Sequence, residues 1–349
     1  MNIHRQNKQL IQPLREALYN VEPRNLKLVL GEVFAPDAEI HLAFPFEDID
    51  GPGALFDEVY APLLEAIPDV ERRDIIVMAG AGEDPDLPGD WVGCAGYYLG
   101  VFERPWLHIP PTRHPVVMRY HEFFRVESSR IVEMQALWDI PQVMLQAGAW
   151  PLAPSLGIDN LAPAPATQDG LLLDDYDEAK ANASRQIVND MLNGLQRHRE
   201  EGAEAMGLGQ YWHPKMNWYG PAGIGANRRI AGFRNWHQIP FLKAMPDRQV
   251  VPGMGVLFGD GDYVGYTGWP GMRMTVSDGG WLGIAPSGKD ITMRSLDFWR
   301  IENGLIRENW VLIDLLSVYD QLGVDVFRRM QELTYTRQPG HFFEQEDVL

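Results

Sequence analysis

The chain is short of several things that define large protein classes. It holds one cysteine, Cys94, in 349 residues. That leaves no internal disulfide, sets aside the stapled secreted scaffolds and fits a reducing compartment. Positive charge is also scarce. Thirty Lys and Arg stand against 48 Asp and Glu, for a net charge of −18, which argues against a nucleic-acid or anionic-membrane footprint. No apolar run approaches the ~18 residues of a membrane span, and the opening MNIHRQNKQ has no apolar core of an export signal. The expectation is a cytoplasmic protein with no nucleic-acid and no membrane partner. The nine histidines show no HxH or HExxH spacing, and a single cysteine cannot build a thiolate zinc site. No GxSxG nucleophile elbow occurs, and the glycines of GPAGIGANRR neither follow a strand nor open a helix as a phosphate-binding fingerprint requires. No metal, no cofactor and no covalent nucleophile are expected.

What is present is ordinary globular composition, 45% hydrophobic and 11% aromatic, arranged twice. Shifting the chain by 175 positions lays Trp106–Gly148 on Trp281–Gly323 with sixteen identities in 43 pairs, against roughly three expected from average composition. Nearer each start the offset is 178, where FAPDAEI meets WHPKMNW and APLLEAIPD meets IPFLKAMPD; between the blocks WVGCAGY meets YVGYTGW at 172. These changes of offset place insertions in loops. Residues 1–154 and 171–349 therefore read as two copies of one domain, joined by a proline- and alanine-rich linker at 155–170. In each copy amphipathic helices come first (Leu10, Ile11, Leu14, Ala17, Leu18; Ile187, Met191, Leu195). Long strands rich in β-branched and aromatic residues follow, including PVVMRYHEFFRV and DITMRSLDFWRI. Asp139 and Asp314 open a short final helix that Gly148 and Gly323 close. The predicted class is α+β: two tandem cone-shaped domains, each a curved antiparallel sheet closed by helices.

Three segments, WHPKMNWYGPAGIG, FLKAMPD and GWLGIAPSGKDITMRSLDFWRIENGLIRENWVLIDLLSVYDQLG, together with PWLHIPPTRHPVVMRYHEFFRVESSRIVEMQALWDIPQVMLQAG in the first copy, resemble the SnoaL-like polyketide cyclases of the nuclear-transport-factor-two-like superfamily. The resemblance implies a cone fold with an interior pocket and sheet-to-sheet pairing. It also implies acid/base ring closure without metal or cofactor, by an aspartate on the last long strand. That position falls on Val311, and on Ala136 in the first copy, and neither can move a proton.

Another acid must therefore serve if the protein is an enzyme. Asp297 and Glu122 lie in otherwise apolar strands at a position where the resembled cyclases contact ligand. Burial there raises a carboxylate's pKa toward the useful range; pairing with Arg119, Arg125, Arg294 or Arg300 would make both structural. Asp139 and Asp314 read as helix caps rather than acids in the pocket mouth, and backbone N–H groups are expected to hold Asp314 ionised. Asp297 rather than Asp314 is thus the expected proton carrier, with Tyr219 as oxyanion donor and Asn217 or Asn309 as alternatives. Trp218, His237, Trp269 and Trp299 complete an aromatic wall, with His41 and Tyr97 as first-copy counterparts. The pocket is expected to be larger and more aromatic in the second domain.

The linker, reaching ~25 Å even as a flexible chain, lets the two sheets pack face to face as an intrachain pseudo-dimer; a homodimer of the whole chain stays open. Two functions are compatible with these residues. One is a cofactor-independent enzyme cyclising, isomerising or dehydrating a small hydrophobic carbonyl compound. The other is a non-catalytic binder of a small hydrophobic molecule. Duplication also permits one copy to be scaffold and the other to carry the site.

Overall fold

The structure, a computed structural model, describes residues 2–82, 89–174, 176–197 and 206–335. Two sheets with the same strand order make up its frame. The first contains β1 (Phe34–Leu42), β2 (Asp48–Asp50), β3 (Glu71–Gly82), β4 (Gly89–Val101), β5 (Pro115–Glu127) and β6 (Arg130–Trp138), in the order β2-β1-β6-β5-β4-β3. The second contains β7 (Trp212–Tyr219), β8 (Ala226–Arg228), β9 (Gln249–Val250), β10 (Gly255–Asp260), β11 (Tyr263–Thr275), β12 (Asp290–Glu302) and β13 (Leu305–Ile313), in the order β10-β11-β12-β13-β7-β8, with β9 on β11. The expected antiparallel sheets are in fact mixed: β1 runs parallel to β6, and β7 parallel to β13. The last strand of each copy slots in beside the first, and a sequence pattern does not reveal that direction.

Helices close each sheet on one side. In the first copy these are Ile3–Leu10, Gln12–Tyr19, Pro23–Val33 and a helical run over 51–66; in the second, Glu178–Gln196 and a run over 229–244. Both runs contain a π-helical turn, Leu55–Tyr60 and Arg234–Gln238. The starts are capped as short polar side chains dictate. Asp177 accepts from Lys180 N, Asp139 from Gln142 N and Asp314 from Ser317 N, each worth ~1 kcal/mol.

Strand alternation sorts the apolar residues into two cores. On β12 and β13, Trp299, Val311 and Ile313 face the helices, while Leu296, Phe298, Trp310 and Leu312 face the first domain. The first copy divides likewise: Tyr120, Phe124, Met134, Ala136 and Trp138 inward, Phe123 and Leu137 toward the second domain. The two outward faces meet. Phe123 stacks on Phe298, its own counterpart at offset 175, with centroids 4.9 Å apart. Asp139 accepts from Ala222 N at 3.0 Å, and Asp314 from Phe44 N at 3.0 Å. These exchanged bonds join residues related by the internal repeat, as in the self-complementary interface of a two-fold dimer. Arg119 departs from the symmetry, donating to the carbonyls of Tyr219, Gly220 and Val311 at 3.1, 2.8 and 2.9 Å.

The linker is pinned along its length. Ile158 bridges Ala226 of β8, and Leu171 bridges Val77 of β3. Between them Tyr97 donates to Ala162 O at 2.6 Å and Trp310 to Pro163 O at 2.9 Å. The segment binds both domains in alternation, because β8 and β3 leave backbone groups that it satisfies.

Candidate functional site

The first cone is filled. Glu122 on β5 is fully buried and takes three donors: Arg72 Nη1 at 2.5 Å, Tyr98 Oη at 2.9 Å and Trp138 Nε1 at 3.1 Å. Arg72 also donates to Asp74 at 3.0 Å, where Tyr120 (2.6 Å) and Arg15 (2.8 Å) converge. Burial works to raise the pKa of Asp74, but Arg72 and Arg15 outweigh it and hold the group below the usual range. Glu122, expected as an acid/base, is therefore one member of a satisfied ion network. Its partner is none of the four arginines considered from sequence; Arg72 reaches it from β3, two strands away.

The second cone is open. A cavity of about 510 Å³ lies between the sheet and the helices. Asp297, Trp299 and Ser295 of β12, Asn309, Val311 and Ile313 of β13, and Tyr266 of β11 form its sheet wall. Trp218, His237 and Phe241 line it from β7 and the 229–244 run, and Asn189 and Asn193 from the Glu178–Gln196 helix. Same-position exchanges explain the space. Where the first copy has Tyr120 and Trp138 the second has Ser295 and Ile313, so two large rings are missing from the wall. The continuous β3 that carries Arg72 corresponds to β9 and β10, separated by a break over 251–254. The plugging arginine has no equivalent there, and Val250, Gly255, Gly271 and Met272 line the cavity beside the break.

Asp297 is the only carboxylate among the described lining residues. Its neighbours in register are Tyr266 on β11 and Val311 on β13. Its Oδ1 is buried without a hydrogen-bond partner. Burial raises its pKa well above the ordinary value, and the positive charge of Arg119 from the first domain opposes this only in part. His237 stacks on Trp218 at 4.0 Å; burial, with the charge of Arg248 adding, lowers its pKa to about 3. It is a neutral imidazole at any physiological pH. Trp299 Nε1 and Trp212 Nε1 are buried without acceptors, and Gln238 Oε1 without a donor. Asn309 gives its amide to Phe298 O at 3.0 Å.

Five of the residues read from sequence as site candidates, Asp297, Trp218, His237, Trp299 and Asn309, line this one cavity. The others lie elsewhere. Tyr219 follows Trp218 and so faces the opposite way; it donates to Glu308 at 3.3 Å and packs on Trp310 at the domain interface. Asn217, on the same face as Tyr219, accepts from Arg228 at 3.3 Å. Trp269 lies under the Arg294 guanidinium, 4.7 Å from its centroid, and beside His41, which bonds Asp48 at 2.7 Å. Tyr97 is held by the linker. These positions sit on the outward face of each sheet, which a sequence identifies as one of two faces but not as the interdomain one. Asp314 is corrected too. Its backbone bonds do lower its pKa, yet burial outweighs them and raises it to about 6. It remains a cap and an interface acceptor, outside the larger cavity.

Sequence reading also missed Gln238, Arg248, Tyr266 and Phe241. The signal was in the repeat: aligned at offset 178, Val59, Tyr60 and Val70 of the first copy stand where His237, Gln238 and Arg248 stand in the second. At offset 175 Met134 stands where Asn309 does. Polar groups replace core residues along one wall, which is how a cavity with a polar lining differs from a packed core.

A cone-shaped α+β domain with an apolar, partly polar-lined cavity is thus the class that this architecture defines. Residues 192–322 match the SnoaL-like polyketide cyclase family, a stretch running from within the Glu178–Gln196 helix to the end of the Leu315–Gln321 helix that follows β13. That match covers the second copy and does not extend to the first. Among solved structures, a candidate SnoaL-like polyketide cyclase from Jannaschia sp. CCS1 aligns at 20% identity over 41% of this chain and 92% of its own, with TM-score 0.35. IdmH from Streptomyces antibioticus, a candidate polyketide cyclase, aligns at 26% over 41% and 99%, with TM-score 0.34. An NTF2-like protein from Burkholderia xenovorans LB400 aligns at 14% over 41% and 97%, with TM-score 0.32. No curated protein matches the chain. No helix among the described residues is long and apolar enough to cross a membrane.

Proposed function

We propose that the second domain is a cofactor-independent acid/base catalyst for a small hydrophobic carbonyl compound, with Asp297 carrying the proton and the first domain serving as its scaffold. The observation that supports it most is the unpartnered Oδ1 of Asp297, the one carboxylate among the described residues that line the cavity. Burial raises its pKa, the direction that makes a carboxylate a stronger base. The family aspartate position is Val311, directly opposite Asp297 on the next strand, so a carboxylate one strand over serves the same space. Abstraction of a proton beside the carbonyl creates an enolate, which needs a hydrogen-bond donor. Trp299, two residues along on the same face, has its indole N–H free for that. Ring closure, isomerisation and dehydration all begin with this step.

A binding-only reading is favoured by one feature, the apolar Val311 at the family's acid position. Proton exchange separates the two. Wild-type protein in D2O should accelerate deuterium incorporation beside the carbonyl of 2-tetralone, and Asp297→Asn should reduce the rate to the buffer background while remaining folded. Exchange by the wild type no faster than buffer leaves binding alone; exchange retained by Asp297→Asn removes Asp297 from the role.

A further inference from the structure

Arg248 has no carboxylate partner among the described residues, and burial is the cause that lowers its pKa. One Nη2 hydrogen goes to Leu195 O at 3.2 Å, near the end of the Glu178–Gln196 helix. The Phe241 ring lies 5.8 Å from the guanidinium carbon. Nε is buried with no acceptor, and the residue lines the cavity. The fully buried arginines among the described residues are answered differently: Arg72 by Glu122 and Asp74, Arg300 by Glu308, Arg119 by three carbonyls and nearby Asp139; Arg248 is half-buried. In the first copy the same position is Val70, part of a closed core.

A guanidinium stays charged in proteins, and a buried N–H donor left without an acceptor is costly. A helix C-terminus uses one of its five donors; the remainder point to an acceptor that arrives with the ligand. We propose that the molecule bound in this cavity carries a carboxylate, which Arg248 holds while the apolar body lies against Trp218, Trp299 and Phe241. The inference rests on the reading of the cavity as a ligand site. Burial of Asp297 acts in the same sense, disfavouring a second negative charge beside the ligand.

A matched pair of probes tests it. Anthraquinone-2-carboxylate and anthraquinone-2-carboxamide have the same planar body and differ in charge; binding is read from quenching of the cavity tryptophans. The wild type should bind the carboxylate about tenfold or more tightly than the amide, as a charge-assisted bond would give. Arg248→Met should bring the two within about twofold by weakening the carboxylate alone, and Arg248→Lys should restore part of the preference. Equal binding by the wild type overturns the anion site and leaves the cavity reading intact. A preference that survives Arg248→Met assigns the anion to another cation, such as Arg185 on the same wall, and also overturns it. Binding of neither probe removes the cavity reading, and this inference with it.

Discussion

Two copies of one fold, closed by the same order of strands, differ most in what answers a single carboxylate. Glu122 meets an arginine, a tyrosine and a tryptophan; Asp297 meets an empty space. The outer halves of the two cones share more: each sets a phenylalanine, Phe123 or Phe298, into the interface and each accepts a bond from the other at its capping aspartate, although Leu296 and Trp310 stand where the first copy has His121 and Gln135. The inner halves have diverged by exchanging bulk for polarity. A duplicated domain can therefore keep its interface under one set of constraints and its interior under another, because strand alternation assigns the two to different residues of the same strands.

The comparison is broken most severely by inserting the family's acid into the wrong copy. Ala136→Asp would set a second carboxylate directly opposite Glu122 in register in a packed core. We expect a loss of ~4 kcal/mol or more, or failure to fold. Val311→Asp, the same change in the open copy, faces the cavity and should cost less than half as much; denaturant melts of both decide it. Next in size is Glu122→Gln, which leaves Arg72 buried with only Asp74 to balance it and should cost ~3 kcal/mol. A midpoint unchanged from wild type would dissolve the contrast between the copies.

Asp297→Asn should do the opposite. A carboxyl whose folded pKa lies above its unfolded value favours the native state while both forms are protonated. That contribution falls as pH rises from the unfolded pKa through the folded one. The variant should thus be more stable than wild type at pH 8, by about 1 kcal/mol or more and a few degrees in Tm, with the gap closing at pH 4. A lower Tm at pH 8 would mean that the carboxylate is answered after all. The smallest effect on stability belongs to the pair Ser295→Tyr and Ile313→Trp, which restores the first copy's rings to the second cone. Melting should move by about 2 kcal/mol at most, while probe quenching disappears; quenching retained in the double variant would show that these two exchanges do not make the cavity.

Much of this was legible in the chain. The repeat, the strand segments and the capping roles of Asp139 and Asp314 follow from spacing and turn chemistry. So does the placement of Asp297 and Trp299 on one face. What could not be read was which face. Trp218 and Tyr219 are adjacent and cannot both point inward, and only the first domain, packed against the face that carries Tyr219, settles the choice. Glu122 was undecidable for a related reason: Arg72 answers it across an intervening strand, a distance that pairwise sequence offsets do not encode. The burial that raises Asp314 to about 6 is likewise contributed by the other domain.

The pinned linker has a consequence for how the halves depend on one another. Its segments from 157 to 172 alternate between the two sheets, bonding β8, Tyr97, Trp310 and Val77 in turn. It is closer to a lacing than to a leash. A nick within it would leave both ends still sewn to their neighbours, so the halves should stay together after cleavage. Removing the segment altogether would expose the seam that it covers. Fusion in this chain has thus done more than fix a one-to-one ratio: it has added a strip of interface that two separate copies would not possess.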